Sequence, residues 1–233
     1  GVYIYHNTDK YEGEWRENMM HGVGVFSTAA GDTYSGGFQE DHKHGYGILT
    51  SATGDSYEGE WRNDMRHGKG TAKFSNGDIF EGEWSYGRKL DGKGVYKYAD
   101  GDIYDGYWRA GKKDGPGKHT FANGNIFSGS WKEGKRINGP AVFQYANGDC
   151  YKGMWKDDKQ NGQGVMTYID GDMYSGNWFS GERHGEGRHT FSNGDMYEGG
   201  WRSDMMHGLG NYQFGAGDRY EGEWEDDMMS GKG

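Results

Sequence analysis

Apolar and polar residues alternate with a period of two over short stretches of the whole chain. In the stretch "IFEGEW", Phe80, Gly82 and Trp84 fall on one face of an extended chain, and the intervening residues fall on the other. A second stretch runs through a "GxG" phrase to another aromatic residue, and Asn-Gly or Asp-Gly after it predicts a tight reversal, because glycine accepts positive φ. This pattern predicts β-hairpins that follow one another in one antiparallel sheet. Helix is disfavoured, since each of the frequent glycines costs about 1 kcal/mol relative to alanine.

One phrase of five residues, typified by "YEGEW" at 11–15, recurs along the chain. Its opening aromatic residue returns every 23 or 24 residues. All nine tryptophans occupy the fifth place of the phrase, and Phe38 occupies that place in the second copy. This phasing predicts a single continuous array of about ten repeats over residues 1–233. The opening aromatics are Tyr11, Tyr34, Tyr57, Phe80, Tyr104, Phe127, Tyr151, Tyr174, Tyr197 and Tyr220.

Two further phrases complete each repeat. "HGxG", or a close variant, follows about 11 residues after the first phrase, and Gly-Asp usually precedes the next opening aromatic by two residues. The two 24-residue repeats carry their extra residue between the tryptophan and the second phrase, in "SYGRKLDGKG" and "KEGKRINGPA". Because loops accept insertions more readily than strands do, this stretch is predicted to be a turn.

The amino-acid composition predicts a core of aromatic rings in place of aliphatic side chains. The chain has 46 Gly, 18 Tyr, 10 Phe and 9 Trp, but leucine occurs only at Leu49, Leu90 and Leu209. A leucine-rich solenoid is therefore excluded, since its framework needs several leucines per repeat. The glycine inside Y-x-G-x-W lies between two large rings on one face, so ring stacking over glycine is predicted to replace an aliphatic core.

Cysteine content, hydropathy and net charge restrict the cellular compartment and the classes of partner. Cys150 is the only cysteine, which favours a reducing compartment. No apolar run approaches the roughly 18 residues of a membrane span. The net charge of −10 opposes general attraction to nucleic acid or anionic membrane.

The three phrases at this spacing resemble the MORN repeat (membrane occupation and recognition nexus), and the resemblance covers essentially all 233 residues. It implies an all-β fold, an elongated, twisted, single-layer antiparallel sheet of consecutive hairpins. Proteins built wholly of these repeats resemble scaffolds, such as radial-spoke head components of cilia and dimeric scaffolds of protozoan cytoskeletal structures. In junctophilins, plant phosphoinositide kinases and some lysine methyltransferases, the repeats accompany another domain.

The resemblance thus implies a non-enzymatic scaffold for protein–protein interaction and cytoskeletal assembly, with no cofactor. The implied location is cytoplasmic and cytoskeleton-associated, at a cilium, an axoneme or a protozoan cortical structure. A groove floored by aromatic rings suits a partner helix or an extended peptide. The predicted groove residues are Tyr11, Trp15, Tyr57, Trp61, Phe80, Trp84, Tyr104, Trp108, Phe127, Trp131, Tyr151, Trp155, Tyr174, Trp178, Tyr197, Trp201, Tyr220 and Trp224.

A basic patch in the fifth and sixth repeats offers an alternative function. Residues 104–150 hold seven basic residues against four acidic ones. They predict either an anionic contact, with phosphoinositide membrane or acidic protein, or ordinary variation at turn tips, and the acidic remainder of the chain favours the second. The basic residues are Arg109, Lys112, Lys113, Lys118, Lys132, Lys135 and Arg136.

The histidines of "HGxG" are candidate metal ligands. Copies one repeat apart are separated by about two strand spacings, roughly 10 Å, which is too far for one Zn²⁺. They are therefore predicted to be turn residues bonded to backbone, with adventitious Zn²⁺ only where copies of the chain meet. These histidines are His21, His44, His67, His184 and His207.

Three further groups of residues fit structural roles better than catalytic or ligand-binding ones. The repeated Glu pairs, such as Glu58 and Glu60, indicate a solvated face rather than catalytic carboxylates. "GPGKHT" at 115–120 lacks the phosphate-loop spacing. Cys150 occupies the place that Ile79 and Met173 take in other repeats, which indicates packing.

The chain starts and stops within the repeat pattern, at Gly1 and at the close of "SGKG". A bare sheet edge offers unpaired N–H and C=O groups and tends to find a partner strand. The chain is therefore predicted to be a piece of a longer array. By resemblance, we expect an antiparallel homodimer through the C-terminal repeats or an end-to-end assembly.

Overall fold

The computed structural model describes residues 1–231, apart from the side chain of Leu90. Over that range the chain forms strands and turns and contains no helix. The chain divides into two compact units, Gly1–Gly115 and Pro116–Gly233. The last two residues of the tenth "SGKG" phrase lie outside the described residues.

Each unit consists of consecutive antiparallel strands. In the first unit the strands are β1 (Val2–Ile4), β2 (Lys10–Arg16), β3 (Met19–Ser27), β4 (Thr33–Gln39), β5 (His42–Thr50), β6 (Ser56–Arg62), β7 (Met65–Lys73), β8 (Ile79–Ser85), β9 (Arg88–Lys97) and β10 (Ile103–Arg109). Strand β11 (Lys112–Thr120) contains the boundary between the units. In the second unit they are β12 (Ile126–Lys132), β13 (Lys135–Arg136), β14 (Gly139–Gln144), β15 (Cys150–Lys156), β16 (Lys159–Thr167), β17 (Met173–Phe179), β18 (Glu182–Thr190), β19 (Met196–Arg202), β20 (Met205–Gln213), β21 (Arg219–Glu225) and β22 (Met228–Ser230).

The predicted fold class is confirmed. Within each unit, successive hairpins continue one open sheet, because β1 to β10 and β14 to β22 pair antiparallel in chain order and β12 pairs with both β13 and β14. The register aligns glycines across strands. Gly59 faces Gly70, Gly70 faces Gly82, and Gly82 faces Gly94. A row of glycines therefore crosses the sheet at right angles to the strands.

The glycine row exists because each opening aromatic ring lies on it. The Tyr57 ring covers the pair formed by Gly59 and Gly70, and its hydroxyl donates a hydrogen bond to the Glu60 carbonyl at 3.1 Å. A methyl group on Gly70 would lie 2.5 Å from ring carbon Cε2 of Tyr57. No side chain fits there, which confirms the prediction that the rings lie over glycine.

The turn inside each repeat uses two residues, both at positive φ. Asn63 and Asp64, with φ of 48° and 64°, join β6 to β7. Such a turn matches the right-handed twist of the flanking strands. "HGxG" lies within the following strand, where Gly68 at φ 55° allows a β-bulge between the Gly59 and Glu60 pairings.

The extra residue of a 24-residue repeat lies in this bulge, not in the turn that the sequence predicted. The turn in the fourth repeat keeps two residues, Tyr86 and Gly87. The bulge instead widens between the pairings of Trp84 with Lys89 and of Gly82 with Gly94. The reason is that strand twist fixes the turn at two residues, whereas a bulge accommodates unpaired residues.

The Gly-Asp phrase links neighbouring repeats. The Oδ1 atom of Asp55 accepts a hydrogen bond from the Ser75 backbone N–H at 2.7 Å, in the corresponding turn of the next repeat. Asp78 accepts from Ala99 in the same way, at 2.8 Å. These carboxylates therefore satisfy backbone donors that no strand pairing reaches.

Candidate functional site

The structure places the predicted groove residues in the core of the sheet. Apart from Trp15 and Tyr220, which are half-buried, all of them are buried. Tyr57 is 0% and Trp84 4% exposed. A partner on this aromatic face would meet a packed layer of rings and the side chains beside it, and the binding role of these rings stays a prediction.

The buried rings form a chain of contacts from repeat to repeat. The ring of Tyr57 lies 5.2 Å from that of Trp61 in its own repeat, at 88°, and 5.2 Å from that of Trp84 in the next, at 81°. The rings therefore pack edge to face with one another, whereas the sequence predicted stacked rings. The reason is the ring quadrupole, which favours a positive edge against a negative face.

The indole N–H groups add a hydrogen bond between repeats. Nε1 of Trp84 donates to the Gly70 carbonyl at 3.2 Å, and Nε1 of Trp61 donates to the Gly47 carbonyl at 3.1 Å. Trp155 is an exception, since its buried Nε1 has no partner within the described chain. It belongs to the repeat that follows Ala141, the alanine that replaces the second glycine of "HGxG".

Cationic side chains lie over the rings in the first unit. Nζ of Lys43 is 5.5 Å from the Tyr34 ring centre, the Arg66 guanidinium is 5.0 Å from that of Tyr57, and Nζ of Lys89 is 4.3 Å from that of Phe80. Each is half-buried. Lys113 occupies the same place, 4.6 Å from the Tyr104 ring centre. We call Lys43, Arg66, Lys89 and Lys113 the cation stripe.

The sequence carries a signal for this stripe that lies outside the three repeated phrases. Each cation stands five residues after the tryptophan, or after Phe38 in the second repeat. At the same offset in the second unit, Arg136 forms an ion pair with Asp158 at 2.6 Å, and Arg183 forms one with Asp204 at 3.2 Å. Gln160 and Met206 occupy this offset in two other repeats.

Burial affects the titration of this layer. Desolvation lowers the pKa of the Arg66 guanidinium and of the Lys89 ammonium, because removal of water penalises the charged form. Desolvation also raises the pKa of Tyr57 to about 12, so its phenol is neutral at physiological pH. The Arg66 guanidinium and Nζ of Lys89 thus lie above packed rings in a partly desolvated layer.

A second row of aromatic rings flanks the stripe and is half-buried. The ring centres of Tyr96 and Tyr98 lie 4.5 Å apart, and the Phe74 ring lies 6.3 Å from that of Tyr96. The Tyr96 hydroxyl donates a hydrogen bond to Asp78 Oδ2 at 2.7 Å. Because these rings keep an exposed part, they are available to a ligand in a way that the buried rings are not.

The predicted basic patch contains side chains in different settings. Arg109, in β10, lies 4.0 Å from Asp114, and Lys113 lies over Tyr104. Arg136 lies over Phe127 and is paired with Asp158. The lysines at the exposed positions are Lys112, Lys118, Lys132 and Lys135.

The "HGxG" histidines lie in strands beside the bulges, not in turns as predicted. His67 in β7 faces Glu60 of β6. Nδ1 of His207 is 3.6 Å from Asp226 Oδ1, while Nδ1 of His44 is buried without a partner in the described residues. His21 lies in β3 and His184 in β18. Within residues 1–231, no group of three His, Cys, Asp or Glu side chains is placed to hold a metal ion.

Cys150 and the Glu58–Glu60 pair lie where the sequence predicted structural residues. Cys150 is half-buried in β15, between Gln144 and Thr167 on the neighbouring strands, which fits a packing position. Glu58 and Glu60 are exposed on β6.

The described part of the chain has no helix long and apolar enough to cross a membrane.

The MORN repeat model matches consecutive segments that begin at the ten opening aromatics. The chain belongs to the MORN-repeat family. The matched residues are 11–33, 34–56, 57–79, 80–103, 104–126, 127–150, 151–173, 174–196, 197–219 and 220–233. This confirms the predicted period and its two 24-residue members.

Comparison with curated proteins found no match. Among solved structures, this MORN-repeat chain is similar to the TCP domain of SAS-4 from Drosophila melanogaster, solved in complex with a proline-rich motif, with 15% identity, a TM-score of 0.43, and coverage of 65% of this chain and 81% of that one. It is also similar to the TCP10 domain of CPAP from Danio rerio, solved with a STIL peptide, with 10% identity, a TM-score of 0.44, and coverage of 96% and 93%. At these scores neither likeness bears on function.

Proposed function

We propose that this MORN-repeat chain is a non-enzymatic scaffold that holds protein partners on the aromatic face of its sheet. One observation supports this function above others: cations and half-buried rings recur on that face in register with the repeats. A face that presents the same groups at regular intervals suits a linear segment that crosses several repeats. The proposal includes no cofactor and no catalytic residue.

Peptide display against the full chain tests this function, with a library drawn from the source proteome. A selected peptide should shift the indole N–H signals of neighbouring tryptophans, such as Trp61 and Trp84, in a nuclear magnetic resonance titration. Tyr98→Ala should weaken its binding. Tyr46→Ala is the matched control, because Tyr46 is 60% exposed on the opposite face. Failure to select any binding peptide, or equal loss of binding in both variants, would contradict the proposal.

Self-association and attachment to cytoskeletal structures are the finer parts of this proposal. Strand β22 exposes Met228 and Met229, at 68% and 46%, on the C-terminal repeat. Exposed apolar side chains beside a strand favour pairing with another copy. Light scattering at high micromolar concentration should show a dimer or a larger assembly, and a strict monomer would remove this part. Proximity labelling in the source cell tests the expected cytoplasmic location at a cilium, an axoneme or a protozoan cortex.

An anionic membrane surface is the alternative partner. Exposed Lys112, Lys118 and Lys135 favour it, since each lysine near an anionic surface contributes about 1 kcal/mol. Sedimentation with phosphoinositide vesicles at physiological salt tests this alternative. No sedimentation above that with neutral vesicles would exclude it.

A further inference from the structure

Three cations of the stripe, Lys43, Arg66 and Lys89, form no ion pair within the described residues. Within the described chain, no carboxylate oxygen comes within 4.0 Å of Nζ of Lys43, the guanidinium of Arg66 or Nζ of Lys89. Their equivalents Arg136 and Arg183 in the second unit both have such a partner. A half-buried cation without an ion pair has lost part of its hydration and has gained ring contacts and a longer-range attraction to a nearby carboxylate, such as Asp55 for Arg66 and Asp78 for Lys89.

The carboxylates around the stripe already accept hydrogen bonds elsewhere. Asp64 accepts from the Lys43 backbone N–H at 2.9 Å and also contacts His42. Asp78 accepts from the Ala99 N–H and from the Tyr96 hydroxyl. Asp55 accepts from the Ser75 N–H. These acids hold the turns together, so they remain beside the stripe without forming ion pairs with its cations.

The spacing of the stripe restricts what can neutralise it. One cation appears per repeat of two strands, and strands lie about 4.8 Å apart, so successive positions are separated by about 9.6 Å. A polyproline II helix rises about 3.1 Å per residue and has three residues per turn. Every third side chain therefore lies on one side of it, at intervals of about 9.3 Å. The small difference is within the reach of flexible Lys and Arg side chains.

Other linear ligands match this spacing poorly. In an extended β-strand, residues three apart point to opposite sides, and residues two apart are separated by only about 6.6 Å. Nucleic acid carries a charge about every 3.4 Å along each strand. The half-buried rings of Phe74 and Tyr98 beside the stripe also suit proline, since polyproline II ligands dock on aromatic side chains.

We propose that the cation stripe binds an acidic peptide in the polyproline II conformation, with Asp or Glu at every third residue. This inference rests on the proposed scaffold function and specifies the chemistry of one partner. Successive carboxylates meet Lys43, Arg66 and Lys89, and the residues between them contact the neighbouring rings. Charge-assisted hydrogen bonds of this kind are stronger than those between neutral groups.

The test uses the full chain and two labelled peptides of identical composition. One has the sequence Glu-Pro-Pro repeated four times, and the other has its four glutamates together at one end. We expect fluorescence anisotropy at physiological salt to show at least about tenfold tighter binding of the regularly spaced peptide. Equal affinities of the two peptides, or no binding of the spaced peptide, would overturn the inference.

Matched charge variants locate the binding site. The stripe variant K43Q/R66Q/K89Q should lose about tenfold or more in affinity for the spaced peptide. The control K69Q/K73Q/K93Q removes the same charge from the opposite face of the same unit, and should stay within about twofold. K43R/R66K/K89R should retain binding if charge is what matters. Equal losses in the stripe and control variants would overturn the inference.

The acidic-peptide test and the peptide-display test of the scaffold function can fail independently of each other. If the spaced peptide fails to bind while peptide display yields partners that require Tyr98, the scaffold function stands and the acidic ligand is wrong. If neither experiment finds a peptide, both proposals fail. Binding of phosphoinositide vesicles that is lost in K43Q/R66Q/K89Q, together with no binding of the spaced peptide, would assign the stripe to a membrane and overturn the peptide ligand.

Discussion

The indole Nε1 of Trp84 donates a hydrogen bond to the Gly70 carbonyl of the preceding repeat, across 3.2 Å. The same indole packs edge to face with Tyr57 of that repeat. One tryptophan therefore joins two repeats through a polar and an apolar contact. Since neighbouring strands also pair by backbone hydrogen bonds, the ring layer and the sheet stabilise each other.

Trp84→Ala should reduce the free energy of unfolding by about 3–5 kcal/mol, because it empties a buried ring site. Glu83→Ala is the control on the solvated face, with an expected change within about 0.5 kcal/mol. Chemical denaturation measures both changes. Hydrogen exchange should accelerate first in the strands around β8, since each repeat contacts only its neighbours. A uniform acceleration across the chain would argue against the ring-coupled model.

Gly70→Ala should destabilise the protein by about 1–3 kcal/mol, through overpacking against the Tyr57 ring. The added methyl group would lie 2.5 Å from ring carbon Cε2. Lys69→Ala, one residue away on the other face, should be nearly neutral. Thermal unfolding followed by circular dichroism compares them, and equal melting temperatures for the two variants would mean that the glycine row is dispensable.

Ala141→Gly should bring the carbonyl of residue 141 within hydrogen-bonding reach of the Trp155 indole, because it removes the methyl group that distinguishes this repeat from its equivalents. In the native chain the buried Nε1 of Trp155 has no partner among residues 1–231, whereas that of Trp178 donates to the Gly164 carbonyl at 3.3 Å. We expect the Trp155 indole proton resonance to move downfield in the variant, as it does on hydrogen bonding. The Trp178 resonance is the internal reference. An unchanged Trp155 signal would show that Ala141 is not the cause.

His189 should make the protein less stable in mild acid. Burial lowers its pKa below the usual 6.5; the hydrogen bond to Asp172 opposes this shift, and the Arg183 charge adds to it. The unfolded chain therefore binds a proton at higher pH than the folded chain does. This contribution to stability is present above about pH 6.5 and is lost as the pH falls below that value.

His189→Phe should remove that contribution, and Phe143 at the equivalent place shows that the fold accepts phenylalanine. Urea unfolding at pH 7.5 and pH 5.5 gives the comparison. We expect the native protein to lose more stability between these values than the variant loses. A parallel loss in both proteins would assign the acid sensitivity to other groups.

The sequence by itself determined the repeat, the strands and the place of glycine. Alternation with period two and a fixed tryptophan phase are local properties, and local geometry translates them into strands of a hairpin. The glycine between Tyr57 and Trp61 was predicted from the same alternation, because residues two apart share a face of a strand. These predictions needed only the alternation within a few consecutive residues and the comparison of copies 23 or 24 residues apart.

Only the tertiary structure decided how repeats meet. Trp84 contacts Tyr57, which is 27 residues earlier in the chain, so neither its edge-to-face angle nor its burial follows from the pattern within one phrase. The two-residue turn and the bulge at Gly68 set the register, and that register brings Arg66 over the Tyr57 ring. The sequence shows Arg66 only as a basic residue at a fixed offset from Trp61, because its neighbours along the chain are not its neighbours on the sheet. Its place in the cation stripe depends on contacts between successive strands, which only the folded sheet creates.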